Sequence, residues 1–339
     1  MRKALLALLG LLAAGLPAAA QEDVAAFYRG KTVRIVAGFP VGSGFDISTR
    51  VLARHLGAHI PGNPTVIVQN QPGAGSLTMT NQLYAAGPFD GTTIGAAFGS
   101  MPTTFLLQPQ AVRFDPTKIN WVGNTNRETN VAYVWHTAKA QSLDELATKE
   151  LMVGAQSPGT SQFDFPVVAN HVLGFKFKVV TGYDSTPKIH LAMEQGEIEG
   201  NAATSWTTLK ALNANWLAEK KVKVIAQWAL RKHAELADVP MVLDLAKTDA
   251  DQQALLLVLA RLEFGRPFFL PPNVPADRVA AIRRAFDDTM KDPAFRSEAE
   301  RLKIDVDPTG GAEVAALVER VSRTPADTVA RVRAALAAR

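Results

Sequence analysis

Cysteine is absent from all 339 residues. That absence excludes a disulfide framework, thiol nucleophiles, thiolate-bound zinc and a lipid attached to an N-terminal cysteine. A chain without such staples is held by its core, and 47% hydrophobic content over this length provides one and predicts two domains. Aromatic residues make up only 7% and are not interleaved with basic stripes, which speaks against nucleic acid as a partner. The short clusters Lys220-Lys221-Lys223 and Arg283-Arg284 read as solvated faces. Beyond the N-terminus no long hydrophobic run occurs; the densest, Ala254 to Ala260, is far too short to cross a bilayer.

What is present begins with an export signal. Arg2 and Lys3 form a positive n-region, Leu5 to Leu16 an apolar stretch, and Pro17-Ala18-Ala19-Ala20 a small-residue cleavage site, so residues 1–20 are expected to be removed and the mature chain to start at Gln21. The protein is therefore expected to be soluble and periplasmic. Without Arg2 and Lys3 the formal net charge falls from +4 to +2, with 34 basic residues against 32 acidic.

Short β-branched runs alternate with amphipathic helical patterns, which predicts an α/β fold with mainly parallel strands. Strands are expected at Val33–Ala37, Thr65–Val68, Thr93–Ala97, Val131–Trp135, Leu151–Ala155, Lys178–Thr181 and Lys223–Gln227. The segments around Val122–Arg127 and Ala229–Val239 read as polar, loop-like connections, suited to a hinge between two lobes. Two strand–turn–helix units stand out. The first runs from Val33 through Pro40-Val41-Gly42-Ser43-Gly44-Phe45-Asp46 into a helix, the second from Val66 through Gln71-Pro72-Gly73-Ala74-Gly75-Ser76 into another. Glycines let backbone N–H groups approach a ligand closely. The first amides of a helix lack intrahelical partners and carry partial positive charge. Two such turns facing one cleft make a receptor for a small anion, a carboxylate above all.

No nucleophile accompanies them. No serine sits in a G-x-S-x-G elbow, and Gly42-Ser43-Gly44 lacks the third glycine of a dinucleotide fingerprint. His55 and His59 have zinc-ligand spacing, but Leu56 stands where a zincin has glutamate. The expectation is a non-enzyme without cofactor or metal. Asp46 reads equally as a helix cap and as a ligand group. Phe45 is either a plug beneath the turn or a stacking surface for an apolar or aromatic acid. Tyr183 and Trp206 follow strand ends and are either cleft walls or packing. Arg127 reads as a hinge arginine rather than a carboxylate clamp.

The motifs resemble those of the substrate-binding proteins of tripartite tricarboxylate transporters, the Bug family. Pro40, Gly42, Ser43, Gly44, Asp46 and Arg50 are similar to its first turn and helix, and Val68, Asn70, Pro72, Gly73, Ala74 and Gly75 to its second turn. Pro88, Asp90, Gly91, Thr93 and Ile94, then Gly159-Thr160-Ser161, Gly196 to Glu199, Asp238-Val239-Pro240 and Pro271 to Pro275 follow in the family's order. Gln69, Gln71, Ser43, Ser76 and Phe45 depart from its usual residues. The resemblance implies a two-lobe flytrap that closes on its ligand, each lobe a mainly parallel sheet flanked by helices. Lobe one is then 22–123 plus 233–339, lobe two 124–232, joined by two crossover segments.

It further implies that Phe39, Gly42, Ser43, Gly44 and Asp46 with Gly73, Ala74, Gly75 and Ser76 hold one carboxylate. Gly159, Thr160 and Ser161 then hold the ligand's far end, and Ser100 and Asn201 complete the candidate set with Phe45, Tyr183 and Trp206. The function implied is a monomeric periplasmic receptor that captures a small di- or tricarboxylate or aromatic acid in the interlobe cleft and delivers it to membrane permease subunits. A receptor that presents its ligand to a sensor kinase is the alternative, and a periplasmic enzyme on the same scaffold a weaker one.

Overall fold

The computed structural model describes residues 24–337, so the expected leader and its cleavage site lie outside the described residues. The fold is mixed α/β with two helix-flanked sheets, one in each of two compact units. The first unit comprises the described residues through Phe98, then Val112–Thr125 and Arg266–Ala316; the second comprises Gly99–Ala111, Asn126–Gly265 and the residues from Leu317. This grouping gives 99–111, 233–265 and 317–337 to the second unit, whereas the family resemblance implies lobe one for them.

In the first unit, helix α1 covers residues 24–28, and β1 (Thr32–Ala37), α2 (Gly44–His59), β2 (Thr65–Asn70), α3 (Leu77–Ala86) and β3 (Thr93–Ala96) follow. Two β–α–β crossovers make β2, β1 and β3 parallel, with β1 central. The sheet is extended by β10 (Pro267–Leu270), β4 (Asn120–Asn124) and β11 (Thr309–Gly310), in the order β11-β4-β10-β3-β1-β2. Strand β10 runs antiparallel to both β3 and β4, so the sheet is mixed. Two strand glycines exist to admit rings: a Cβ on Gly95 would lie 2.3 Å from the Phe269 ring, and one on Gly123 2.3 Å from Phe286.

Helices α9 (Ala276–Lys291) and α10 (Pro293–Arg301) complete this unit. The buried faces of α2 (Val51, Leu52, Leu56) and α9 (Ile282, Phe286) join Ile35, Ile94 and Phe268 of the sheet in one core. Ile47, which shares the helical spacing of Val51, is nevertheless 43% exposed.

The second unit carries α4 (Met101–Leu107), β5 (Asn130–Trp135), β6 (Leu151–Gly154), α5 (Ser161–Leu173), β7 (Phe177–Val180), α6 (Thr186–Glu194), β8 (Gly200–Ser205), α7 (Trp206–Ala218), β9 (Val222–Trp228), α8 (Asp249–Phe264) and α12 (Ala326–Ala337). Helix α11 (Gly311–Ser322) precedes α12. Its strands lie in the order β7-β6-β8-β5-β9. Strands β6, β7 and β8 are parallel, and β5 is the antiparallel insert, the counterpart of β10. The segments 99–111, 233–265 and 326–337 join this unit because α4, α8 and α12 pack on one another, and α8 and α12 also pack on α5.

A polar pair sits in this second core. The Tyr133 hydroxyl lies 2.6 Å from His190 Nε2, and both side chains are buried beside Trp216. Desolvation lowers the His190 pKa to about 4, so the folded state holds the imidazole neutral. Below the ordinary histidine pKa of about 6.5 the unfolded chain binds a proton that the folded chain refuses. Stability contributed by the neutral ring is thus complete above pH 6.5 and lost as pH falls toward 4, by roughly 3 kcal/mol. Urea unfolding at pH 7 and pH 4.5 measures this, and His190→Gln is expected to flatten the difference.

Candidate functional site

The first glycine turn is built around Asp46. Ser43 caps α2, its Oγ accepting the Asp46 amide at 3.2 Å. The Asp46 carboxylate reaches back to accept the Gly42 amide at 2.8 Å, a capping box displaced by one residue. The same carboxylate accepts from Arg50 Nε at 3.0 Å and from Asn70 Nδ2 at 2.8 Å, while the side chain is only 2% exposed. Burial pushes the Asp46 pKa up, but the hydrogen bonds from Arg50, Asn70 and Gly42 and the Arg50 charge outweigh it and hold the carboxyl below its ordinary value. Asp46 is thereby committed to the turn's own framework. Gly42 spends its amide on Asp46, and the Ser43 amide leans on Pro40 O at 3.4 Å. Gly44 and Phe45, at N1 and N2, are the amides that the helix leaves for an external acceptor.

The second turn follows β2, the neighbour of β1, so both turns leave the same carboxyl edge of one parallel sheet. Asn70 links them: Arg50 Nη2 donates to its Oδ1 at 2.7 Å, and its Nδ2 donates to both Phe39 O and Asp46 Oδ1. The turn itself needs positive φ at four successive residues: Gly73, Ala74, Gly75 and Ser76 have φ of 150°, 45°, 62° and 76°. Ala74 and Gly75 open a short 3-10 turn (Ala74–Ser76) that runs into α3. Ser76 is fully buried; its hydroxyl donates to Gly38 O at 3.1 Å and accepts the Phe98 amide at 3.1 Å. It knits the ends of β1 and β3 to the turn. Ser76→Ala would leave the Phe98 amide without its acceptor, at an expected cost of about 1–3 kcal/mol in denaturant unfolding with acid affinity retained.

Phe39 is buried, and Phe45 and Phe98 are half-buried around it, with centroid distances of 5.6 Å (Phe39–Phe45), 5.5 Å (Phe39–Phe98) and 4.7 Å (Phe45–Phe98). Phe45 is therefore packed on the core from below. Its ring also carries a guanidinium: Arg266 Cζ lies 5.1 Å from the centroid. Arg266, Asn70 and Arg50 belong to this arrangement, and the motifs alone do not mark them as ligand groups. Asn70 and Arg50 stand inside the two recognised motifs, whereas Arg266, lying between Gly265 and Pro267, carries no local signal at all.

In the second unit Gly159, Thr160 and Ser161 follow β6 and begin α5. The device of the first turn recurs. Gly159 has φ of 91°, its amide donates to Asp164 Oδ1 at 3.0 Å, and Asp164 Oδ2 pairs with Arg261 Nη2 at 2.9 Å. Arg261 Nη1 also donates to Gly159 O at 3.2 Å. Each unit thus opens a helix with a positive-φ glycine tied to an aspartate that an arginine neutralises. Tyr183 follows β7 and Trp206 follows β8, so both lie at the carboxyl edge that carries Gly159. Trp206 is 9% exposed in the hydrophobic core, its indole N–H donating to Glu235 Oε2 at 2.7 Å, and Tyr183 packs against that core. Asn201 is fully buried within β8; its Oδ1 accepts the Ala203 amide, and its Nδ2 has no partner. Ser100 precedes α4, where its carbonyl accepts from Thr103 and Thr104.

The two helix histidines serve different carboxylates. His55 Nε2 lies 2.8 Å from Glu298 and His59 Nε2 3.0 Å from Asp292. Among the described residues no cluster of three or more His, Cys, Asp or Glu side chains could hold a metal, and no helix is long and apolar enough to cross a membrane.

No protein-family profile matches the chain. A UPF0065 protein of Cupriavidus necator is 24% identical over 314 residues, covering 89% of this chain and 85% of that protein. A TctC solute-binding protein from Polaromonas superposes with a TM-score of 0.70 at 16% identity, over 91% of this chain and 99% of its own. MatC from Rhodopseudomonas palustris, solved with bound malate, gives 0.59 at 18% identity over 90% and 99%. The likeness that the two glycine-rich turns imply therefore holds along nine-tenths of the chain, and the protein has the fold of the tripartite tricarboxylate transporter solute-binding proteins.

Proposed function

We propose that this protein is an exported receptor that captures a small organic acid and delivers it to the membrane subunits of a tripartite tricarboxylate-type transporter. The observation that carries the reading is the pair of turns at one sheet edge, cross-linked by Asn70, with the Gly44 and Phe45 amides at a helix start and the buried Asp46 charge already neutralised by Arg50. Micromolar capture needs about −8 kcal/mol. A helix N-terminus contributes about 0.3–1 kcal/mol, and each hydrogen bond to a charged group about 1.5–3 kcal/mol. Several donors from two turns reach that range and one turn does not. MatC, of the same fold, binds malate, which supports a carboxylate as the ligand.

Thermal-shift measurement against mono-, di- and tricarboxylic acids and aromatic acids tests the reading. At least one class is expected to raise the melting temperature in a concentration-dependent way. Silence across the whole panel would refute it.

A further inference from the structure

Among the described residues Arg266 forms no ion pair. Its backbone is clamped at the end of β4, the amide donating to Asn124 Oδ1 at 2.8 Å and the carbonyl accepting from the Thr125 amide at 3.4 Å. Its guanidinium rests on the Phe45 ring, yet Nε and Nη1 are buried and have no hydrogen-bond partner. Thr125, only 4% exposed, likewise keeps a buried Oγ1 without a partner. Buried polar atoms are almost always satisfied, and an uncompensated buried charge is costly. An orphaned arginine therefore points to an acceptor that arrives from outside.

Topology says where that acceptor goes. Strand β10 is antiparallel to β3 and β4, so its first residues lie beside their last ones, with Phe268 opposite Ala96 and Pro267 opposite Asn124. Arg266 thus stands at the carboxyl edge from which both glycine turns leave β1 and β2. Phe45, under the guanidinium, is the residue after Gly44 at the start of α2. In open α/β sheets this edge is where ligands bind.

We infer that Arg266 is the charged anchor of the acid site. A ligand carboxylate would accept from the Arg266 Nε–H and Nη–H groups next to the α2 amides, and stacking on Phe45 would keep the fork in plane. Such a site favours small acids that set a carboxylate beside an apolar flank. The inference rests on the proposed receptor function and adds to it a side chain that fixes the ligand's charge.

The test combines three probes, malate, adipate and benzoate, with Arg266→Met and Arg266→Lys. The best-binding probe is expected to lose at least 100-fold in affinity by calorimetry in Arg266→Met and less in Arg266→Lys. The melting temperature of ligand-free Arg266→Met is expected to equal or exceed that of the wild type, because a half-buried cation whose Nε and Nη1 lack partners has been removed. Binding within threefold of wild type, or a lower ligand-free melting temperature that reveals a partner within the fold, would overturn the inference while leaving the receptor reading in place. Absence of binding of all three probes by the wild-type protein would overturn both.

Discussion

Gly44→Asp is expected to abolish acid binding while the protein melts no lower than the wild type. Gly44 is the first helical residue of α2, its φ is outside the left-handed range, and a Cβ built there meets nothing within 4 Å. The new side chain therefore fits without strain. An aspartate in a first helical turn adds about 0.3–1 kcal/mol through the helix dipole. Its charge, however, occupies the place of the anion. Two like charges about 4 Å apart repel by about 4 kcal/mol at an effective dielectric near 20, on the order of a thousandfold in affinity. Gly44→Ala is the control: the methyl group enters open space, chain entropy is reduced, and affinity is expected to fall less than tenfold. Calorimetry with the acid that most raises the wild-type melting temperature reads both. Wild-type affinity in Gly44→Asp would mean that the first turn does not face the ligand. Gly73, the other evident target, is unsuited to such a test, because a Cβ there would lie 2.5 Å from Thr78 Oγ1 at a φ of 150°.

This choice of variant shows where sequence reading stops. All seven strands expected from β-branched runs occur, because each is a contiguous pattern of five residues or so that pairs within its own unit. Strands β4 and β10, like β8 and β11, were not legible. The first is bounded by Asn120 and Asn124 in a stretch that reads as polar loop, and the second is a four-residue buried run that starts with proline. Strands β4 and β10 bring Arg266 to the carboxyl edge of the sheet, so the guanidinium that rests on Phe45 was hidden along with them. The turns themselves were legible because positive φ favours glycine, as at Gly42, Gly73 and Gly75. Which of their amides stay available was not. That depends on Asp46 finding Gly42 four residues back and Asn70 twenty-four residues on. No spacing rule covers the second of these. The same holds for Ser76 and Trp206: as residue types they suit a ligand site, but their polar atoms are already committed within the fold, to Gly38 and Phe98 in one case and to Glu235 in the other.

Arg261→Met is expected to lower stability by about 3–5 kcal/mol, more than any other single change considered for the second unit. Asp164 and Arg261 are 5% and 9% exposed as side chains, with 2.9 Å between Oδ2 and Nη2. Removing the arginine leaves a carboxylate only 5% exposed, with the Gly159 amide on its other oxygen. An uncompensated buried charge of this kind costs several kcal/mol, whereas replacing both members of such a pair is often nearly neutral. Asp164→Asn keeps an oxygen for the Gly159 amide and carries no charge. The double variant Asp164→Asn, Arg261→Met should therefore recover at least half of the loss, and the coupling energy from the double-mutant cycle should exceed about 1.5 kcal/mol. Arg261 also donates to Gly159 O, so the part that is not recovered measures its hold on the turn. Additive costs in urea unfolding would show that the arginine supports the turn through its backbone contact alone. Strong coupling would establish that the second unit positions its glycine turn as the first does, with a neutralised aspartate fixing the backbone ahead of the helix-start amides of Ser161 and Gln162.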